Sequence, residues 1–224
     1  MLTRIRIWLP DAPGALGAVA AEIGAVQGNV VGLEVLEREA GVAIDEMVVE
    51  LPDDPGAIDA VCRGVRNVPG VGVEEVVELA GAGQGDAPDA LDAPDREDSV
   101  LAATTAILGA ATPDAVMKEL NGRLRSLFSL AWLAVADDAL TRFVEVHGDA
   151  PSPSWVAAFA EGSRSGSDPA NDTTGSGVFV EPVPGTGLAV CGGRTVAIRR
   201  RERREITLLV TAAARFMEAL SGRA

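Results

Sequence analysis

Two short segments carry residue types suited to holding a small zwitterion. The first is Asp11-Ala12-Pro13-Gly14-Ala15-Leu16, which follows an apolar strand pattern and opens a helical one. The second is Asn29-Val30-Val31, at the start of the next strand pattern. A zwitterionic amino acid presents a carboxylate and an ammonium about one bond apart. Backbone N–H groups at a helix N-terminus suit the carboxylate, and Gly14 lets that backbone approach closely. Asp11 can accept hydrogen bonds from the ammonium, and Asn29 offers both a donor and an acceptor. Ala12 and Ala15 leave room without specifying the ligand's side chain. Each piece also has a purely local reading. Asp11 can cap its turn or helix, Pro13-Gly14 can set a turn, and Asn29 tolerates a left-handed backbone after Gly28.

Other reactive groups are sparse. His147 is the sole histidine, and Cys62 and Cys191 are the only cysteines. That argues against a disulfide framework and against a Cys/His zinc site, so no metal and no cofactor is expected. Asp137, Asp138, Glu145, His147 and Asp149 cluster in sequence. General acid–base work needs a positioned pair in a cleft, whereas turn acids and alternating strand residues are usually solvated. Cys191 reads as a small buried hydrophobe, His147 as a surface residue, and Trp132 and Trp155 as core. Thr173-Thr174-Gly175-Ser176-Gly177 lacks the spacing of a phosphate-binding loop. Arg199 to Arg204 holds five arginines in six positions. It reads as a solvated helix start or as a partner for the acidic N-terminal half, with Glu202 and Glu205 in pairing range.

The 224 residues hold 33 acids and 19 bases, for a net charge of -14. Residues 1–79 carry 14 acids and 5 bases, residues 80–99 carry 6 and 1, and residues 100–224 carry 13 of each. The step implies two units: 1–79 and 97–224, joined by an Ala/Gly/Pro/Asp linker at 80–96. The acidic balance argues against nucleic-acid and membrane partners. No apolar run has the length of a membrane span and no signal-peptide pattern opens the chain, so a cytoplasmic protein is expected.

Element patterns then place the site segments. Residues 2–9 alternate, with Ile5, Ile7 and Leu9 on one face and Arg4, Arg6 and Trp8 on the other. A helix stripe follows at Leu16, Val19, Ala20, Ile23 and Val26, with Gly28 as its stop. Strands are predicted at 29–38 and 42–51. A second helix is predicted with Asp54 as N-cap and Pro55 at its first position, and a fourth strand at 71–79. The order is β-α-β-β-α-β, a ferredoxin-like antiparallel sheet with both helices on one face. Val30, Val31, Leu33, Val35, Leu36, Met47, Val48 and Val49 suggest that the other face is covered, most simply by a second copy. The second half predicts helices near 100–108 and from a Thr112 cap. Strands follow at 128–136 and 141–147, then a helix at 152–163 with Trp155, Val156 and Phe159 inward. A loop covers 164–176. Strands at 177–183, 187–191 and 195–199 precede a closing helix at 201–220. The fold class is α+β throughout.

The Asp11–Leu16 string, Asn29 and the complete element order resemble the ACT domain, an amino-acid-binding regulatory module, over residues 3–79. The resemblance implies a homodimer whose pocket joins Asp11, Ala12, Pro13, Gly14, Ala15 and Leu16 of one chain to Asn29, Val30 and Val31 of its mate. Residues 98–221 resemble a GAF domain, chiefly through the Gly187–Gly193 strand, Arg201–Glu205 and the apolar helix after them. That implies an α/β unit with an antiparallel sheet that holds a small molecule or relays its state. The expected function is a non-catalytic sensor of an amino-acid effector, with an unidentified protein partner for its output. Two alternatives stand beside it: a ligand-free dimerisation scaffold, and an enzyme with an acid/base site in the second half.

Overall fold

In the computed structural model the described residues are 1–79, 96–165 and 176–222. They form six helices and eight strands in two antiparallel sheets. The chain divides into compact units Met1–Arg96 and Glu97–Ala224. Most of the predicted linker at 80–96, and of the predicted loop at 164–176, lies outside the described residues.

The first unit runs β1 (Leu2–Pro10), α1 (Ala15–Ala25), β2 (Asn29–Glu39), β3 (Val42–Glu50), α2 (Ala57–Asn67) and β4 (Gly72–Glu78), with strand order β2-β3-β1-β4. Ile5, Ile7 and Leu9 of β1 form one buried cluster with Met47 and Val49 of β3, Val19 and Ile23 of α1, and Val61, Cys62 and Val65 of α2. Both helices therefore cover one face. Ala40 and Gly41 join β2 to β3 with positive φ at both positions (50° and 81°), the geometry a two-residue hairpin needs. Helix α1 ends with Gln27 at φ 61°. The Gly28 N–H donates to the Ile23 carbonyl and the Gln27 N–H to that of Gly24, a six-to-one and five-to-two pair. Gly28 thus follows the left-handed residue and marks the stop expected there. A Cβ there would lie 2.8 Å from the Ile23 side chain, so its role is close approach. The predicted start of α2 also moves. Asp54 accepts from the Gly56 N–H at 2.7 Å, a local turn, and the helix begins at Ala57.

The face of this sheet away from the helices is mixed: Val48 and Ile44 lie there beside Arg4 and Trp8, together with a charged row. The register sets Glu34, Glu46, Arg6 and Glu75 in one row across all four strands. Arg6 is 1% exposed and donates through Nη2 to Glu46 at 2.6 Å. Arg4 lies beside Glu46 and Glu75. The Trp8 indole rests on Gly72, where a Cβ would come within 2.1 Å of its ring. Met47, Val49 and Val30 pack on the helix side.

The second unit runs α3 (Arg96–Leu108), α4 (Pro113–Leu127), β5 (Trp132–Asp137), β6 (Phe143–His147), α5 (Pro153–Ser165), β7 (Val178–Val183), β8 (Leu188–Gly193) and α6 (Arg200–Ser221). Its strand order is β6-β5-β8-β7. Leu133, Val190, Phe179 and Val183 pack one sheet face against α3, α4 and α6. Trp132, Ala134, Ala189 and Cys191 pack the other against Val156 and Ala160 of α5. Thr112 caps α4 by accepting from the Ala115 N–H, with Pro113 behind it. Strand β5 starts four residues later than predicted because Ser129, at φ 48°, turns the chain out of α4 first. Trp155 is not core. Val156 and Ala160 take the inward stripe one turn apart, leaving Trp155 49% exposed and stacked on Phe159.

No strand forms at 195–199. The Arg194 guanidinium holds that segment instead, donating to the carbonyls of Val196, Ala197 and Phe128 and to Glu202 at 2.6 Å. Glu202 is fully buried and also accepts from the Arg199 N–H. Glu202→Gln leaves that guanidinium without its counter-charge and should cost the second unit about 3 kcal/mol. Hydrogen-exchange mass spectrometry should show the loss in peptides from 97–222 and unchanged protection in peptides from 1–79.

Candidate functional site

The predicted site segments sit at opposite ends of one sheet. Leu2 pairs with Glu50, which pairs with Asn29; Pro10 pairs with Val42, which pairs with Glu39. The Asp11–Leu16 segment leaves the second end, so about 27 Å of extended strand separates it from Asn29. Asn29 is exposed, and Val30 and Val31 are half-buried at their end of β2. Asp11, Ala12, Pro13 and Gly14 are exposed, and Ala15 and Leu16 are half-buried where α1 begins. A single chain does not join the two sets.

A different set gathers around the start of α1. Gly14 is its N-cap, at φ 90°, and no side chain caps the helix. Nor is there an acidic residue in its first turn. Asp11 does not serve as the cap. Its N–H donates to the Gly41 carbonyl at 2.8 Å, and its carboxylate lies 4.0 Å from Arg38 Nε. Both side chains of that pair are well exposed, so the contact is screened.

Asp45 completes the set, and the sequence reading did not single it out. It sits in β3 opposite Ile7 and Val35, on the helix-covered face, and is 4% exposed. Among the described residues its Oδ1 has no hydrogen-bond partner. Burial pushes its carboxyl above the usual carboxylate range, Arg38 pulls it back, and Asp11 pushes it further up. The signal was available: Ala43-Ile44-Asp45-Glu46-Met47 puts an acid at a position whose alternation demands an apolar residue. This end of the sheet thus holds a guanidinium and a helix start without a side-chain cap beside two carboxylates, a pattern that matches the two poles of a zwitterion.

No family model matches the chain, and no curated protein is similar to it. Two solved structures are similar to parts or all of it. One is the GAF domain of a protein assigned as a sensor histidine kinase, from Pseudomonas syringae pv. tomato. It is 16% identical, covers 58% of this chain and 93% of its own, and has a TM-score of 0.32. The other is an unknown protein from Galdieria sulphuraria, 14% identical, covering 98% of this chain and 93% of its own, also at 0.32. Likenesses this distant carry no argument about the site, which rests on the geometry above.

In the second unit the acid cluster divides into separate structural tasks. Asp137 accepts from the Thr141 hydroxyl and N–H across the β5–β6 turn, and those bonds hold its carboxyl below the usual range. Glu145 accepts from Asn121 Nδ2 at 3.2 Å and contacts His147 Nε2 at 2.6 Å. Asp138 and Asp149 are exposed. The arginine run is occupied locally: Arg203 donates to the carbonyls of Ile198, Ser176 and Val178, and Arg201 reaches Glu205 and Glu97. Of the Thr173–Gly177 string, Thr173, Thr174 and Gly175 lie outside the described residues. No group of three metal-ligating side chains occurs among the described residues, and no helix there is long and apolar enough to cross a membrane.

Cys191 is fully buried, donates to the Ala134 carbonyl, and burial pushes its thiol up to about 12. Cys62 is raised for the same reason. Both thiols should resist maleimide at pH 7.5 and react fully in urea, read by intact mass. For Asp45 the sign runs the other way from a salt-bridged acid. A folded-state pKa raised above 3.8 means that ionisation penalises the fold as pH rises through the raised value. Asp45→Asn should therefore raise the midpoint of the first unit at pH 7. That advantage should shrink as the pH falls toward 3.8, in paired thermal scans.

Proposed function

We propose that the protein is a regulatory sensor whose first unit binds a free amino acid. The observation that carries this reading is the meeting of both charge signs at the start of α1. Arg38 and the uncapped helix amides suit a carboxylate, while Asp11 and Asp45 suit an ammonium. The β-α-β-β-α-β order, the β2-β3-β1-β4 sheet and the Asp11–Leu16 string together support an ACT-like, ferredoxin-like arrangement.

The same topology supports a homodimer. Strand β2 is an edge strand of eleven residues. Antiparallel pairing of two β2 edges about Glu34 would set Asn29 of one chain beside Glu39 of its mate. That is the end from which the mate's Asp11–Leu16 segment departs, so two chains would unite segments that one chain holds apart. The second unit, with helices on both faces of an antiparallel sheet, supports a GAF-like role in relaying the bound state to an unidentified protein partner. On this reading the protein is non-catalytic and works in the cytoplasm.

Thermal unfolding of the full chain against each of the twenty protein amino acids tests the proposal. A ligand at about 100 times its dissociation constant adds about 2.7 kcal/mol, a shift of several degrees. One amino acid or a related few should shift the midpoint, and Asp11→Ala should reduce the shift. No shift with any of them, in protein shown ligand-free by mass spectrometry, would leave a dimerisation scaffold as the better account.

A further inference from the structure

We propose that Asp45 is the ammonium-recognition residue of this site, and that it makes the site select 2-amino acids over their 2-hydroxy and 2-oxo analogues. This rests on the amino-acid reading above and adds the chemical group that is selected.

Asp45 is 4% exposed and has an oxygen without a hydrogen-bond partner among the described residues. A carboxylate held that way is costly unless a cation or a set of donors joins it. Arg38 does not serve as that donor set: it lies on the same sheet face, opposite Ala43, with its guanidinium 4.0 Å from Asp11. Asp45 pairs with Ile7, three residues before the end of β1, Arg38 pairs with Ala43 two residues from Asp45, and Asp11 follows β1 in the segment that leads into α1. The vacant carboxylate oxygen and the uncapped helix start therefore belong to one corner of the fold.

An ammonium brings three donors and a positive charge to a carboxylate; a hydroxyl brings one donor and no charge, and a ketone brings neither. Asp11 also carries a negative charge, but it is exposed and beside Arg38, so it discriminates weakly. At a buried carboxylate the wrong ligand leaves the charge uncompensated, and rejection is correspondingly strong.

The test is calorimetric titration of the full chain with each protein amino acid. The strongest binder is then compared with its 2-hydroxy analogue, in the wild type and in Asp45→Asn. The wild type should prefer the amino acid by about 100-fold. Asp45→Asn, with a melting midpoint at or above the wild type's, should bring that preference below about tenfold, chiefly by weakening the amino acid. Wild-type protein that binds both analogues alike overturns the inference, whatever the variant does. So does an undiminished preference in Asp45→Asn; in both cases the amino-acid reading survives. Wild-type protein that binds no amino acid overturns both.

Discussion

A guanidinium buried on the uncovered face of a sheet organises the first unit. Arg6 is closed off from water without a helix above it, held against Glu46 in a row that also contains Glu34 and Glu75. Burying an arginine costs several kcal/mol unless charge and hydrogen bonds compensate it. The acids of that row supply the compensation and leave the face with a surplus of carboxylates. Stacking two copies through this face would oppose like-charged rows. Ile5, Ile7 and Leu9, at the alternate positions of the same strand, take the helix face.

That constraint bears on the site. With the hydrophobic interior on one side, α1 and α2 share a single face, and α1 must start at the end of the sheet where Arg38, Asp11 and Asp45 lie. The second unit uses the same device for a structural end. Arg194 and Glu202 form a buried pair that fastens the segment after β8, the end of α4 and the start of α6. The basic run from Arg199 is one wall of that fastening, which is why its charges turn to local carbonyls and carboxylates.

Element order was legible in the sequence because alternation, helix stripes and turn residues agreed from one element to the next. Thr112 and Pro113 were legible for the same reason. Details that depend on three-dimensional closeness were not. Gly28 was legible as a stop, but the need for glycine there comes from Ile23 lying against it. Trp155 looked like core because α5 is apolar on more than one side, and only the sheet decides which stripe turns inward. Of the apolar residues of β3, Met47 and Val49 face the helices and Val48 faces away, a division that the sequence alone does not assign. At the site, the Asp11–Leu16 and Asn29–Val31 segments were singled out by the resemblance to the ACT domain, with residue types that suit its chemistry. Asp45 breaks the alternation of its strand, a signal present in the sequence, but its unpaired oxygen among the described residues shows only in three dimensions.

The central claim is that an amino acid binds where two chains meet. Native mass spectrometry of the full chain with its stabilising amino acid measures this directly, because it reads ligand count and chain count in one ion. The account predicts a dimer carrying two ligands and a monomer carrying none. A monomer that retains one ligand would contradict it.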